Sequence, residues 1–210
     1  MTKSLTSIDA LTELVLRTPR VGRRRLVAFA GPPASGKSTM AEALAKGLCD
    51  AGCMAVAVPM DGFHLHNPFL EEKGLLFRKG SPNTFDVNGF SHLMRRLKDE
   101  GTVYYPLFDR TQELSIAGAG CVRADCDTVI VEGNYLLYEG DGWRSVADHW
   151  DLAVRLQVPI ETLKARLRKR WLDLGFTMEK AEERIEGNDL INGRLIEKNA
   201  LPADVIFEQE

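Results

Sequence analysis

An eight-residue run, GPPASGKS, constrains the fold of this chain more than any other feature of its sequence. It covers residues 31–38 and matches the pattern G-x-x-x-x-G-K-[ST] at every fixed position. The five residues before it are all apolar, as in a strand buried on both faces of a parallel sheet. An amphipathic stretch with Met40, Leu44 and Leu48 on one face follows. The run therefore lies between a predicted strand and a predicted helix, where phosphate-binding loops occur.

Each residue type in this loop has a task in binding a nucleotide. Gly31 and Gly36 allow the backbone to approach a phosphate closely, and the positive end of the following helix faces the same point. Lys37 supplies an ammonium for the β- and γ-phosphates, and the Ser38 hydroxyl is a ligand for Mg²⁺. The predicted cofactors are therefore ATP and Mg²⁺. The predicted nucleotide-binding residues are Gly31, Pro32, Pro33, Ala34, Ser35, Gly36, Lys37, Ser38 and Thr39.

The composition is that of an ordinary globular protein, with 210 residues, 44% hydrophobic, 27% charged, and a net charge of −3. The apolar content excludes a disordered chain, and so small a charge gives no field for attracting nucleic acid or a membrane surface. No apolar run reaches the ~18–20 residues that span a bilayer. We expect one domain, residues 1–210, in the cytoplasm, with neither nucleic acid nor a membrane as partner and with its cysteines as free thiols. The sequence does not reveal the oligomeric state, so a homodimer is one of the alternatives that it leaves open.

Apolar strands alternate with amphipathic helices along the whole chain. Residues 1–25 are predicted to form a short helix, capped by Ser7, and a basic connector. Further strands are predicted at 54–59, 128–131, 152–158 and 205–207, with a long polar helix from Thr177 to about Asn199. This alternation is typical of an α/β fold with a mainly parallel sheet. The Gly118-Ala119-Gly120 stretch has no strand–turn–helix frame and is predicted to be a loop.

Two acidic residues follow predicted strands and would meet the phosphate loop at the carboxyl edge of the sheet. Asp61 comes after the strand at 54–59, where a kinase needs a carboxylate to accept the proton of the acceptor hydroxyl. A plain Asp-Gly turn is the alternative. Glu132 ends the strand at 128–131, in the position of a metal-side carboxylate, and a surface acid is the alternative. No Asn-Lys-x-Asp element is present, which counts against a GTPase.

Four motifs, in this order, resemble the uridine kinase, pantothenate kinase and phosphoribulokinase family: residues 31–39, DGFH at 61–64, YPLFDR at 105–110 and VEGNYLL at 131–137. Within it, the chain is most similar to bacterial proteins labelled fructose-transport-system kinases, of which the stretch RKGSPNTFD at 78–86 is also typical. The resemblance extends from about Leu26 to Phe207. It implies a three-layer α/β/α P-loop fold with a doubly wound parallel sheet, a small helical lid at about 160–180, and ATP-dependent phosphorylation of an alcohol.

The resemblance also implies roles for individual residues. Asp61 matches the catalytic base of the family, and Glu132 matches an acid near the metal and the acceptor, so Ser38 and Glu132 are the expected metal ligands. Arginines of the lid are expected to cover the triphosphate, with residues 173–176 as a hinge; a solvated helix face is the alternative. The expected lid arginines are Arg166 and Arg170, with Arg168 as a third candidate. The predicted catalytic residues are Asp61, Lys37, Arg166 and Arg170.

The predicted acceptor-binding residues are His64, Tyr104, Asp109, Arg110 and Glu132. His64 stands where uridine kinases carry a Tyr, and their Pro-x-Tyr-Asp-Phe element becomes PLFDR at 106–110, which puts a nucleoside acceptor in doubt. A structural role is the alternative for His64, and a place in the core is the alternative for Tyr104. Three residues of the predicted polar helix are expected to face water: Asn188, Asp189 and Asn192.

These patterns predict an ATP-dependent kinase that acts on an alcohol of a small polar metabolite, such as a sugar like fructose, a nucleoside or a pantothenate-like compound. Two alternatives are a non-catalytic ATP-binding regulatory protein and a uridine or other nucleoside kinase proper. A polynucleotide 5′-kinase is disfavoured, because the charge balance is acidic and no aromatic and basic groove is indicated.

Overall fold

The computed structural model describes residues 2–140 and 142–209. Its strands are β1 (Lys3–Leu5), β2 (Arg25–Ala30), β3 (Ala55–Pro59), β4 (Val103–Asp109), β5 (Leu114–Val122), β6 (Thr128–Gly133), β7 (Leu152–Gln157) and β8 (Val205–Glu208). Its α-helices are α1 (Ile8–Arg17), α2 (Lys37–Asp50), α3 (Asn67–Glu72), α4 (Val87–Asp99), α5 (Ile160–Asp173), α6 (Met178–Arg184) and α7 (Leu190–Lys198).

A six-stranded sheet in the order β1-β8-β7-β2-β6-β3 forms the centre of the molecule. Each of its five strand pairs is parallel. The predicted α/β fold with a mainly parallel sheet is therefore confirmed. One strand of this sheet was not predicted: β1 lies ahead of the expected N-terminal helix and pairs with β8.

Helices cover both faces of this sheet. Along β2, Val27 and Phe29 pack with the apolar sides of α1 and α2, whereas Leu26 and Ala28 pack with α4 on the opposite face. Successive side chains of a strand point to opposite faces, so a strand with helices on both sides is apolar throughout. This explains why the continuous apolar runs of the sequence are strands.

The carboxyl edge of the sheet carries the segments that the sequence singled out. The loop 31–36 follows β2, a 3-10 turn at Met60–Phe63 follows β3, and α5 starts shortly after β7. In open α/β sheets, ligands bind at this edge, where the order of strands reverses. Strand β2 lies between β6 and β7. After β2 the chain forms β3 and β6 on one side of it, and then crosses to the other side to form β7 and β8, so the order of strands reverses beside β2.

An antiparallel hairpin, β4–β5, lies apart from the main sheet. It corrects the prediction of a loop at residues 118–120, because Gly118, Ala119 and Gly120 are part of β5. Gly120 faces the ring of Tyr105, and a β-carbon there would overlap that ring. The residues of β5 are mostly small and exposed, so the hydrophobic pattern that marks a half-buried strand is absent.

The predicted polar helix is interrupted. Helices α6 and α7 are joined by a π-helical turn at Ile185–Asp189, which lets residues on both sides of the turn face the interior. Asn188 and Asn192 are only 3% and 1% exposed. The expectation that this group faces water is therefore wrong. None of the helices in the described ranges combines the length and the apolar character needed to cross a membrane.

Candidate active site

The phosphate loop has the backbone geometry that its glycines suggest. Gly36 adopts φ 86° directly before α2, and Ala34 adopts φ 59°. A β-carbon on Gly31 would lie 2.7 Å from the Ser35 hydroxyl oxygen, so this position has no room for a side chain. Left-handed residues alternating with right-handed ones turn successive amide groups into one concavity, where an anion binds.

Ser38 and Glu132 contact each other behind this loop. The Ser38 Oγ donates a hydrogen bond to Glu132 Oε1 over 2.8 Å, and Glu132 is 6% exposed. Because the hydroxyl uses its hydrogen for this bond, its lone pairs remain available to a cation. Burial raises the pKa of Glu132, although Lys37 opposes this rise. Burial also lowers the pKa of Lys37, against the charges of Glu132 and Asp61.

These oxygen donors fit Mg²⁺, which is usually held by one or two protein groups together with phosphates and water. Within the described ranges, no group of three or more His, Cys, Asp or Glu side chains could hold a metal by itself. Ser38 and Glu132 could therefore hold a magnesium ion that also contacts a bound triphosphate, but not an isolated structural metal.

Asp61 forms an ion pair with Arg110, which comes from the turn between β4 and β5. Arg110 Nη2 donates to Asp61 Oδ2 over 2.5 Å, and 23% of the Asp61 side chain remains exposed. Burial pushes the pKa of Asp61 upward, but its interactions with His64 and with the positive charges of Arg110 and Lys37 hold it below its usual value. The carboxylate is thus ionised, and its Oδ1 is the oxygen that Arg110 leaves free.

One cleft of about 640 Å³ brings most of the predicted residues together. Gly36, Lys37, Ser38 and Thr39 of the phosphate loop face Asp61 across it. Glu132 lies in an adjoining pocket of about 270 Å³, which Ser38, Asp61 and Arg110 also line. The further predicted residues that line the main cleft are Pro33, Ala34, His64, Arg110, Arg166 and Arg170.

Helix α5, which covers the first part of the predicted lid, presents two of its arginines to the cleft. Arg166 Nη1 donates to the Ser35 carbonyl over 3.0 Å and to Gln209 Oε1 over 2.9 Å. Arg170 also lines the cleft, and burial is the main cause that lowers its pKa. Arg168 instead donates to Glu182 of α6 over 2.5 Å and does not line the cleft. The suggestion that it is a third lid arginine is therefore not supported, because residues two apart lie on different sides of a helix.

His64 is held between aromatic rings. Its ring stacks on Phe85 with 4.1 Å between centroids and lies 4.9 Å from the Phe108 ring. Burial lowers the pKa of His64 to about 4, despite the opposing charge of Asp61, so the imidazole is neutral at pH 7. Its Nδ1 is buried without a hydrogen-bond partner among the described residues. This neutral ring is available to a hydroxyl group in the cleft.

Two of the predicted acceptor-binding residues, Tyr104 and Asp109, lie outside the cleft in the structure. Tyr104 is 60% exposed on β4 and does not line either part of the cleft. Successive side chains of a strand point to opposite sides, so Tyr105 is buried in the core and Tyr104 points to solvent. Asp109 accepts hydrogen bonds from the Thr111 and Gln112 amides over 2.8 and 2.9 Å. It therefore stabilises the hairpin turn and does not line the cleft.

Several residues of the cleft were missed from the sequence. Lys79 follows the turn at Leu76–Arg78, and its side chain is 11% exposed. The π-helical turn brings Asn188 to the Lys79 carbonyl over 3.0 Å. The interruption of the polar helix could not be predicted from the spacing of its residues, because a π-turn inserts only a single residue. Among the missed lining residues are Asn67, Lys79, Glu113, Asn134, Trp171, Arg184, Asn188, Asp189 and Asn192.

The motif order, the parallel sheet and this cleft agree with a comparison to known families. The model of the "Phosphoribulokinase / Uridine kinase family" matches residues 26–209 of the chain. The chain belongs to this family. Its P-loop kinase fold and its nucleotide-binding loop are those of the family, and the similarity extends over nearly all of the chain that follows α1.

Two relatives and one solved structure are similar to this chain over most of their length. "Putative uridine kinase C227.14" of Schizosaccharomyces pombe is 32% identical over 98% of this chain and 92% of its own. "Uncharacterized protein YggC" of Escherichia coli is 34% identical over 92% of this chain and 81% of its own. A solved structure from Silicibacter sp. TM1040, named "putative fructose transport system kinase", is 49% identical, with a TM-score of 0.93 over 97% of this chain and 100% of its own.

Proposed function

We propose that this family member is an ATP-dependent kinase that transfers the γ-phosphoryl group of ATP to an alcohol of a small polar metabolite. The observation that carries this proposal is the position of Asp61, whose ionised carboxylate faces Lys37 and Ser38 across one cleft. A protein that only binds nucleotide has no need of a carboxylate opposite the terminal phosphate. A kinase needs one to orient the attacking hydroxyl.

The triphosphate would bind at the phosphate loop and beneath the lid. Amides of residues 34–39 and the ammonium of Lys37 hold its β- and γ-phosphates, and Arg170 and Arg166 approach from α5. The lid also excludes water, which would otherwise compete with the acceptor for the γ-phosphoryl group. Ser38 and Glu132 would hold Mg²⁺, which when bound neutralises charge on the phosphate oxygens.

The transfer step follows from the free oxygen of Asp61. The acceptor hydroxyl donates its hydrogen bond to Asp61 Oδ1 while its oxygen faces the γ-phosphorus. A bond forms between that oxygen and phosphorus, the bond from phosphorus to the bridging oxygen of ATP breaks, and ADP leaves with that electron pair. Asp61 takes up the hydroxyl proton and later releases it to solvent. Arg110 fixes the other carboxylate oxygen, so the orientation of Asp61 is set before the acceptor binds.

The Asp61→Asn variant tests this assignment. We expect its phosphoryl transfer to fall by about 10²–10⁴-fold, because an amide cannot accept the proton, while its affinity for ATP changes little. Transfer is measured as acceptor-dependent ADP release, and ATP affinity by calorimetry. Asp109→Asn is a matched control, since Asp109 lies outside the cleft and an Asn makes the same turn. Turnover by Asp61→Asn equal to that of the control would remove Asp61 from the mechanism.

A screen for the acceptor separates this function from its alternatives. ADP release is followed over sugars, sugar alcohols, nucleosides and pantothenate, each with ATP and Mg²⁺. If a nucleoside is the best acceptor, the protein is a nucleoside kinase. The general proposal of an ATP-dependent phosphotransferase still holds in that case. Normal ATP binding without release for any acceptor would instead indicate a regulatory nucleotide-binding protein.

A further inference from the structure

The turn that carries Arg110 is tied to the cleft at both of its ends. Residues 110–113 form this turn between β4 and β5, and all four are exposed. At its start, Arg110 Nη2 donates to Asp61 Oδ2 over 2.5 Å. At its end, Lys79 Nζ donates to Glu113 Oε2 over 2.8 Å. Exposed turns have few packing contacts to fix them, so these two ion pairs hold the 110–113 turn against the cleft.

Lys79 is the fixed member of the second pair. Its side chain is 11% exposed, whereas that of Glu113 is 54% exposed. Asn188 donates to the Lys79 carbonyl over 3.0 Å, and the ammonium lies 4.7 Å from the centre of the Phe108 ring. The three hydrogens of the ammonium have three acceptors in the protein: Asn67 Oδ1 at 2.7 Å, Glu113 Oε2 at 2.8 Å and the Glu113 carbonyl oxygen at 3.2 Å. Lys79 therefore anchors neighbouring segments and has no hydrogen left for a ligand.

The backbone of Glu113 needs this anchor. It adopts φ 56°, in the left-handed region that residues other than glycine seldom adopt. Such a conformation persists only where the surrounding contacts hold it. Here the Lys79 ammonium binds both the carboxylate and the carbonyl oxygen of Glu113, which fixes the side chain relative to the backbone. Without Lys79 the residue would relax, and Arg110, three positions earlier in the same turn, would move with it.

The position of the 110–113 turn matters because Asp61 is oriented through it. Among the residues that the structure describes, Arg110 is the one group that hydrogen-bonds to the Asp61 carboxylate. Asp61 lies in the 3-10 turn after β3, and 23% of its side chain is exposed, so packing alone does not fix its carboxylate. If Arg110 were displaced, both oxygens of Asp61 would be free to rotate away from the phosphate loop.

We propose that Lys79 is a positioning residue for phosphoryl transfer: it anchors the 110–113 turn, so that Arg110 keeps the Asp61 carboxylate facing the phosphate loop. This inference rests on the proposed kinase function and deepens it. Lys79 acts through Arg110 and not by binding the acceptor, because its hydrogens are used within the protein. The rate is sensitive to such an arrangement, since a misplacement of about 1 Å at a reacting group can cost about 100-fold.

Steady-state kinetics of Lys79→Met, with the best acceptor of the screen, tests the proposal. Methionine keeps an apolar stem beside the Phe108 ring and removes the ammonium. We expect kcat to fall by about 10- to 100-fold. The KM for the acceptor should stay within about threefold of the wild type, as should the affinity and stoichiometry of ATP binding in calorimetry. Lys73→Met, at an exposed position after α3, is the control. A higher KM for the acceptor at an unchanged kcat would mean that Lys79 binds the acceptor, and would overturn the inference.

Two further variants show whether Lys79 acts through Arg110. Glu113→Ala, at an exposed position, breaks the same ion pair from the other side and should also lower kcat. Adding Lys79→Met to Arg110→Met should lower kcat no further than Arg110→Met alone, because the anchor then has nothing left to position. An unchanged kcat in both Lys79→Met and Glu113→Ala overturns the inference. So does a double variant whose loss equals the product of the two single losses.

The NMR signals of the Arg110 guanidinium decide the inference without turnover. In ¹⁵N-arginine-labelled protein, these signals are assigned by their loss in Arg110→Met. A guanidinium held by a carboxylate rotates slowly about its Cζ–Nη bonds, so we expect separate Nη signals in the wild type and in Lys73→Met, and one averaged signal in Lys79→Met. Unchanged signals in Lys79→Met overturn the inference. A wild type that turns over no acceptor counts against the kinase function, whereas these spectra still decide whether Lys79 positions Arg110.

Discussion

In the proposed mechanism, the single carboxylate of Asp61 must meet two demands. One oxygen is held by Arg110, and the other is left for the acceptor, so the side chain is fixed without being consumed. The positive charges around it outweigh burial and lower its pKa. A carboxylate with a low pKa is a weak base in bulk water, but in the loose transition state of phosphoryl transfer little proton transfer is required before the old bond breaks. The proton is then transferred late, to a carboxylate that is already oriented.

The neutral His64 gives the protein a specific dependence of stability on pH. Burial lowers its pKa from 6.5 to about 4 in the folded state. Between these values the unfolded chain binds more protons than the folded one, so the free energy of unfolding decreases as the pH falls from 6.5 towards 4. The shift corresponds to a loss on the order of 3 kcal/mol.

Urea unfolding at pH 7 and pH 4.5 measures this effect. His64→Phe keeps a flat ring for stacking on Phe85 and has no proton to gain, so it should lose less stability between these two pH values than the wild type. His92→Gln, at an exposed position of α4, should behave like the wild type. The same pH dependence in His64→Phe and the wild type would mean that this imidazole is not held neutral.

At the scale of elements, α5 separates its arginines by face. Arg166 and Arg170 are one turn apart and line the cleft, whereas Arg168 pairs with Glu182. We expect Arg166→Ala and Arg170→Ala each to lower kcat/KM for ATP by about 10- to 100-fold, because each removes a charge aimed at the triphosphate. Arg168→Ala should remain within about twofold of the wild type, since exposed ion pairs contribute little. Steady-state kinetics with varied ATP distinguishes the three, and a loss in Arg168→Ala equal to the others would contradict this division.

How far elements can be predicted depends on the range of the interactions that form them. Strand β2 and the loop after it were predicted, because an apolar run, two glycines and a lysine are local signals. The β4–β5 hairpin was not, since the small, exposed residues of β5 carry no period that marks a strand. Lys79 and Asn188 were missed as site residues because they are 109 positions apart and meet only in the folded chain. Tyr104 points outward on β4, whereas Phe108 of the same strand lines the cleft, and a register shift between Tyr105 and Leu107 separates the two.

At the scale of the whole molecule, Arg24 joins parts of the chain that are distant in sequence. It lies in the predicted basic connector, yet it is fully buried, and burial is the main cause that lowers its pKa. Its guanidinium donates to the carbonyls of Leu97 and Glu100 over 2.9 and 2.7 Å and to that of Arg123 over 2.8 Å, and also to the Gly101 carbonyl. One side chain thus ties the start of β2 to the end of α4 and to the segment before β6.

Replacing Arg24 should destabilise the protein as a whole. Arg24→Met leaves several buried carbonyls without a donor, and we expect the free energy of unfolding to fall by about 3 kcal/mol or more. Arg23→Met is the control, because the neighbouring Arg23 is exposed and its side chain makes one hydrogen bond, to the Ala124 carbonyl over 3.3 Å. It should change stability by less than about 1 kcal/mol. Urea unfolding of both variants at pH 7 checks this, and equal losses would show that the buried donor is not the cause.

Gly62 lies where the β4–β5 hairpin contacts the turn that carries Asp61. A β-carbon there would overlap the Pro106 carbonyl, so the hairpin can rest directly against the turn that carries Asp61. Within the part of the chain that the structure describes, strands β4 and β5 pair as a sheet with each other and with no other strand, and Arg110 reaches the cleft from the turn that joins them. The hairpin is therefore a separate structural unit. If Gly62 is kept, residues 103–122 of a relative can replace those of this chain, and we expect such a graft to change the choice of acceptor while the phosphate loop and α5 stay as they are.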